Sequence, residues 1–477
     1  MMNNPLIERF RFSLMRPPQF WIYLGIYFTI IVLVLLINLA AFSRGDYSNT
    51  EEFGTSLLWQ FASFQFLIFW LWTSVNVGTV IRDEVRDKSY DFFKLLPLPA
   101  WKKAVGILVG KNLVAHLFAG ANFVFIILFA VIAGISLQLL VDFLVIMVCG
   151  SVFLNLAVLL AATIVDWNGK RSNHVLLILL ALFVLSPLIG LIAELARGGF
   201  DDFQIVFYVW KIRGLLLISG LALYFSVWIF KGVCRRFRAD REPLMTPGGA
   251  FLFQIGFMFI ALGFFWNEMD SNWSTMKAVE FWVTTLIATW LIPFGATRNY
   301  EMYIAGAGHY VGQGSAMARF IVKSSNLFTC GVMLFVWVLL ASLTAALVRM
   351  DVYDAARWLP VLVSSSIFLF LLWEIHVVYK PLVQKFHLIL VFVVLLYVIL
   401  PLILAAVFDS RQLAHFSPLG FISYLFDEAT RRLETSVAVW IVNLALSAIA
   451  TLALLPRYRS VIAAREKMRW AASAPRS

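Results

Sequence analysis

Long apolar runs separated by short charged or Pro/Gly-containing stretches dominate the chain. They fall near 20–42, 57–81, 104–134, 138–165, 173–195, 212–231, 249–266, 279–296, 318–348, 358–379, 384–408 and 435–456. A membrane-spanning helix needs roughly 20 apolar residues, so the pattern predicts about twelve spans. Counterpart runs in the first and second six start 211 to 229 residues apart, which predicts two six-span units in tandem. The expected division is 1–235, a cytoplasmic linker at 236–248, and 249–477. Residue identities do not visibly repeat, so the repeat is one of architecture.

Composition agrees with this reading. The 477 residues are 61% hydrophobic and 14% charged, with a mean hydropathy of +0.86, outside the soluble range. The connections are too short for a soluble catalytic domain. Cys149, Cys234 and Cys330 match neither a disulfide framework nor a zinc spacing. Arg9, Arg11 and Arg16 precede the first run without a small-residue cleavage site, so that run reads as a retained span.

Charge sets the orientation. With the N-terminus inside, alternate connections carry 28 basic and 10 acidic residues on the inner side, against 10 basic and 16 acidic on the outer. Cytoplasmic loops collect Lys and Arg, so both termini, 82–103 and 232–246 are expected in the cytoplasm. The net charge of +11 is then an inner-face signature, and no basic, aromatic groove remains for nucleic acid. With charges near the end of a run, such as Lys111, Asp142 and Lys323, assigned to the adjoining loop, only Glu374 is left unassigned inside a run. It lies about 9 Å of helix before Lys380, nearer the inner face than the midplane. Two roles stay open for it, structural or interfacial on one hand, substrate or proton coupling on the other.

The stretch RDEVRDKSYDFFKLLPLPAWKK at 82–103 carries the most chemistry. Val85, Ser89, Phe92, Phe93 and Leu96 share one helical face, and charges of both signs cover the rest. Pro97 and Pro99 stop the helix, and Trp101, Lys102 and Lys103 form an interfacial anchor. Mixed charge fits protein docking better than a pure lipid patch. Pro5 to Met15, ahead of Pro17-Pro18, reads as an interfacial elbow helix.

The order Glu84, Ser89, Asp91, Leu95-Leu96, Pro97-Leu98-Pro99, Lys102, Gly110-Lys111 resembles ABC-2 type permeases, the membrane subunits of ATP-binding cassette exporters. Residues 416–432 resemble the Pro-containing segment before that family's last span. The resemblance implies an all-α polytopic membrane protein built as two tandem six-helix bundles in a bacterial inner (plasma) membrane. It implies a coupling helix near 84–99, with Trp101 on its flank, received by separate ABC ATPase subunits at the cytoplasmic face, with room for accessory subunits. ATP and Mg would bind that partner, since this chain lacks a Walker A motif: Gly106, Gly110, Lys111 and Asn112 have the wrong spacing and no following Ser or Thr. The chain would thus be a permease rather than an enzyme, binding no cofactor or metal itself. In the second half, 296–319 has lost the Leu-Leu-Pro core, and only Arg298 and Glu301 echo Arg82 and Glu84, so a second coupling loop there would be altered. Competing readings are a secondary transporter of six plus six helices, a membrane-embedded glycosyl or lipid transferase, and a non-transporting ATPase-coupled factor.

Overall fold

The computed structural model describes residues 4–87, 95–164, 204–238, 243–266, 274–296, 326–348, 352–379 and 433–473, with the single positions Met350, Tyr397 and Ile403. It divides into two compact units, Met1–Ile205 with Lys211–Asp240, and Val206–Trp210 with Arg241–Ser477. Nine helices among the described residues are long and apolar enough to cross a membrane. They coincide with nine of the twelve predicted runs; of the other three, 279–296 forms a helix that is not among the nine, and 173–195 and, apart from Tyr397 and Ile403, 384–408 lie outside the described residues.

Unit 1 opens with α1 (Pro5–Leu14), capped by Asn4, and the chain restarts at Pro17 as α2 (Pro17–Ser43). Proline at the first helical position loses no hydrogen bond, which makes both starts favourable. Helix α3 (Thr50–Phe66) begins at Asn49, whose side chain accepts from the Glu52 backbone N–H, while the Glu52 carboxylate accepts from Ser48 N and Oγ. It passes through a π-helical segment, Leu67–Trp72, into α4 (Thr73–Arg86). Then come α5 (Ala100–Gly110), α6 (Leu113–Ile132), α7 (Leu137–Ile164), the hairpin strands β1 (Gln204–Phe207) and β2 (Trp210–Arg213), whose residues Val206–Trp210 belong to unit 2, and α8 (Gly214–Arg238).

Two local features depart from the predicted pattern. The run 104–134 is divided at Lys111–Asn112, where the Asn112 side-chain amide donates to Leu108 O at 3.1 Å and takes the carbonyl its backbone would otherwise use. The hairpin was unexpected because its turn, Tyr208-Val209, carries no Asn-Gly or Gly signal; Tyr208 nevertheless adopts φ 56°.

Unit 2 contains α9 (Pro247–Phe265), α10 (Ser274–Ala296), α11 (Asn326–Leu347), α12 (Val352–Tyr379) and α13 (Leu433–Ser473). The 41 residues of α13 would extend about 62 Å, twice a bilayer's hydrocarbon thickness of about 30 Å, and its charged end follows Pro456.

Part of one packing order recurs in the two units, although α11 packs on α12 in unit 2 more than α6 does on α7 in unit 1. In unit 1 the broadest contact joins α7 to α8, and the α3–α4 rod lies against both α6 and α7. In unit 2 the broadest contact joins α12 to α13, and α10 lies against both α11 and α12. The cores are aromatic. Tyr27 stacks on Phe118 at 4.8 Å in unit 1. In unit 2 the buried indoles of Trp282 and Trp337 donate to Thr344 and Thr285 at 2.7 and 3.0 Å, satisfying polar N–H groups where water is scarce.

Candidate functional site

The strongest constellation lies where α1, α4, α5 and α8 meet in unit 1. Leu6 and Phe10, one turn apart on α1, join Val77, Val80, Ile81, Ala104, Ile107, Val233 and Phe237 in one buried cluster. Gly106 and Gly110 make the approach of α1 to α5 possible. A Cβ at Gly106 would stand 2.8 Å from Leu6 Cβ, and one at Gly110 would stand 2.8 Å from the Phe10 ring and 3.1 Å from Ile7 Cα. The glycines that superficially mimic a phosphate loop therefore serve close helix packing.

Polar contacts fasten the same corner. Asn4 Nδ2 donates to Lys102 O at 2.7 Å while its Oδ1 accepts from Leu6 N at 3.1 Å. Arg9 reaches Glu84 at 2.9 Å, and Lys111 stands 3.9 Å from Asp83 with its ammonium 5.9 Å from the Phe10 ring centroid. Lys103 is buried, which holds its ammonium pKa below the ordinary lysine range.

The segment 95–99 is a turn hung from this corner. Leu96 and Leu98 pack into the buried cluster, whereas Leu95, Pro97 and Pro99 face outward, Leu95 with 80% of its surface open. Trp101 is also exposed, with the Lys102 ammonium 5.6 Å from its ring centroid. Glu84, by contrast, is buried at 6% exposure and belongs to the contact with α1. Residues 82–86 continue α4 rather than starting a separate helix. Ser89 and Asp91, like Arg298 and Glu301 of the second loop, lie outside the described residues.

In unit 2, Glu374 on α12 is fully buried and accepts from Asn326 Nδ2 at 3.1 Å and Tyr458 OH at 2.8 Å. One carboxylate thus ties α11 and α13 to α12. The nearby His376 ring lies against Trp373, with centroids 5.3 Å apart.

Sequence reasoning missed a set of lone polar residues inside the spans of unit 1. Asn122 Nδ2 donates to Phe61 O and Gln65 Oε1 at 2.9 and 2.8 Å, and Asn155 Nδ2 donates to Thr73 and Ser151, both at 3.1 Å. Ser151 and Thr73 both donate to Phe69 O within the π-helical segment, and Trp70 Nε1 donates to Met147 O at 2.8 Å. The available signal was a single Asn or Gln in an otherwise apolar run, a residue that must find a partner in lipid. Asp142 is likewise buried, paired with Arg213 at 2.9 Å.

These features define a helical, polytopic integral membrane protein. No family model, curated protein or solved structure matches the chain.

Proposed function

We propose that this chain is the fused membrane component of an ABC-2 type, ATP-driven exporter, with two six-helix bundles and separate ATPase subunits at the cytoplasmic face. The observation that carries the reading is the alternation at 95–99. Leu96 and Leu98 anchor the turn to a buried cluster, while Leu95, Pro97 and Pro99 are presented outward. A partner gripping the outer side would push on α4 and α5 together, because the inner side is fastened to both. The packing contacts that recur in the two units support the tandem-bundle part of the reading. Glu374 takes the structural role, since its two hydrogen bonds hold three helices together.

Copurification from membranes tests this proposal. Leu95→Glu and Trp101→Ala alter exposed side chains and should leave insertion intact. They should weaken retention of an ATP-hydrolysing subunit by about tenfold or more, the scale of an interface hot spot. Recovery of the full chain with no such subunit, or unchanged retention and stimulated turnover in both variants, would defeat the assignment.

A further inference from the structure

Unit 1 carries a groove of about 400 Å³ between α2 and α3, of ligand-pocket size and lined by Ile30, Val34, Gln60, Ser63, Phe64 and Leu67 among others. Gln60 and Ser63 are polar side chains of this lining, and Gln60 joins a polar network that lies just beyond it, which grades the polarity along the groove. At the end nearer Ser43 and Thr50, Asn38 Oδ1 accepts from Tyr47 OH at 2.8 Å, Gln60 Nε2 at 3.0 Å and Ser56 Oγ at 3.3 Å. Asn38 Nδ2 donates back to Gln60 Oε1 at 2.8 Å. Toward the middle of the two helices the lining is Ile30, Phe64 and Leu67.

Gln60 and Ser63 are both exposed on a helix that crosses the membrane, and among the described residues the Ser63 hydroxyl has no hydrogen-bond partner. A hydroxyl facing hydrocarbon without a partner is unfavourable, so this position calls for an acceptor from outside the protein. The neighbouring helix α2 exposes Phe28, Leu33, Leu36 and Ile37, the surface of a helix bathed in lipid. A molecule that is polar at interface depth and apolar toward the midplane matches the gradient. That is the polarity of a phospholipid.

We propose that this groove binds one phospholipid, an ester carbonyl accepting from Ser63 beside the Gln60 amide and an acyl chain lying along Ile30, Val34, Phe64 and Leu67. With the N-terminus inside, the lipid belongs to the outer leaflet. The inference does not rest on the exporter reading, because the groove and its gradient are independent of any ATPase.

The test uses the full chain in nanodiscs containing a phospholipid with a photoactivatable diazirine on its acyl chain, followed by peptide mapping. Label should concentrate on Ile30, Val34 and Phe64 relative to Leu223 and Val227, two exposed residues on α8 outside the groove. Val34→Trp fills the groove and should cut that label by about tenfold, the scale of about two methylene groups losing apolar contact. Ser63→Ala removes an exposed hydroxyl that bonds to none of the described residues, so it should leave the fold unchanged and still weaken the label. Equal labelling of the groove and α8, absence of groove label, or full labelling in either folded variant would overturn the proposal.

Discussion

Gly106 and Gly110 show how a side chain's absence builds a contact. Each occupies space that Leu6 or Phe10 of α1 fills, and neither has a left-handed backbone, so closeness alone demands glycine. Gly25, Gly120 and Gly220 also sit in spanning helices, yet a Cβ there meets nothing within 4 Å. Gly106→Ala and Gly110→Ala should therefore each destabilise unit 1 by about 1–3 kcal/mol through overpacking. Gly25→Ala should be neutral or stabilising by up to about 1 kcal/mol through helix propensity. Unfolding titrations in mixed micelles would distinguish the two classes; equal effects would mean that α1 does not bear on α5. Neither this contact nor the Arg9–Glu84 ion pair was legible in the sequence. Glu84 sits in a charged stretch whose local spacing suggests a solvated docking face, but its partner belongs to the elbow helix, far away along the chain. Long-range pairing leaves no periodic trace.

Individual elements were more legible because each must bury an apolar length. The elbow helix at 5–14 shows in its proline starts and mixed face, and the described spans fall on the predicted runs. The π-helical segment at 67–72 left no such mark, since one surplus residue in the apolar stretch LIFWLW keeps the stretch apolar. Its effect is geometric. A π-helical segment absorbs a one-residue insertion so that the faces on either side keep their directions. Here that holds Gln65 toward Asn122 above the segment and Thr73 toward Asn155 below it. Deleting the partly exposed Leu71 should thus convert the segment to α-helix with both polar contacts retained, and the melting temperature should stay within a few degrees. Deleting Val124 from the regular helix α6 should turn the following face by about 100° and unfold the unit. Thermal unfolding of the two deletions side by side checks this, and equal damage would exclude the insertion account.

At the scale of the whole molecule, the chain forms two compact units, Met1–Ile205 with Lys211–Asp240 and Val206–Trp210 with Arg241–Ser477. Spacing could not foretell which helices meet, because adjacency is decided by side-chain fit at sites far apart in sequence. The recurring contacts, with the fourth and sixth predicted runs paired and the second lying against the third and fourth, emerge only from the structure. Orientation is decided by neither. It rests on the unequal distribution of Lys and Arg among the connections, a bias that acts during insertion. The three basic residues in the last turn of α8, Arg235, Arg236 and Arg238, and Arg457 and Arg459 after Pro456 on α13, belong to the side expected to be cytoplasmic. Asp46, Glu51 and Glu52, around the start of α3, belong to the opposite side. In a chain with Cys149, Cys234 and Cys330 replaced by Ala, Asp46→Cys should react with an impermeant thiol reagent in intact cells. Tyr90→Cys should react only after the membrane is opened. Because one connection lies on each side of the α3–α4 span, the pair reports orientation and the crossing at once. Labelling of position 90 from outside with protection of position 46 would invert the topology, moving residues 95–99 out of reach of any cytoplasmic ATPase and removing the basis of the proposed coupling.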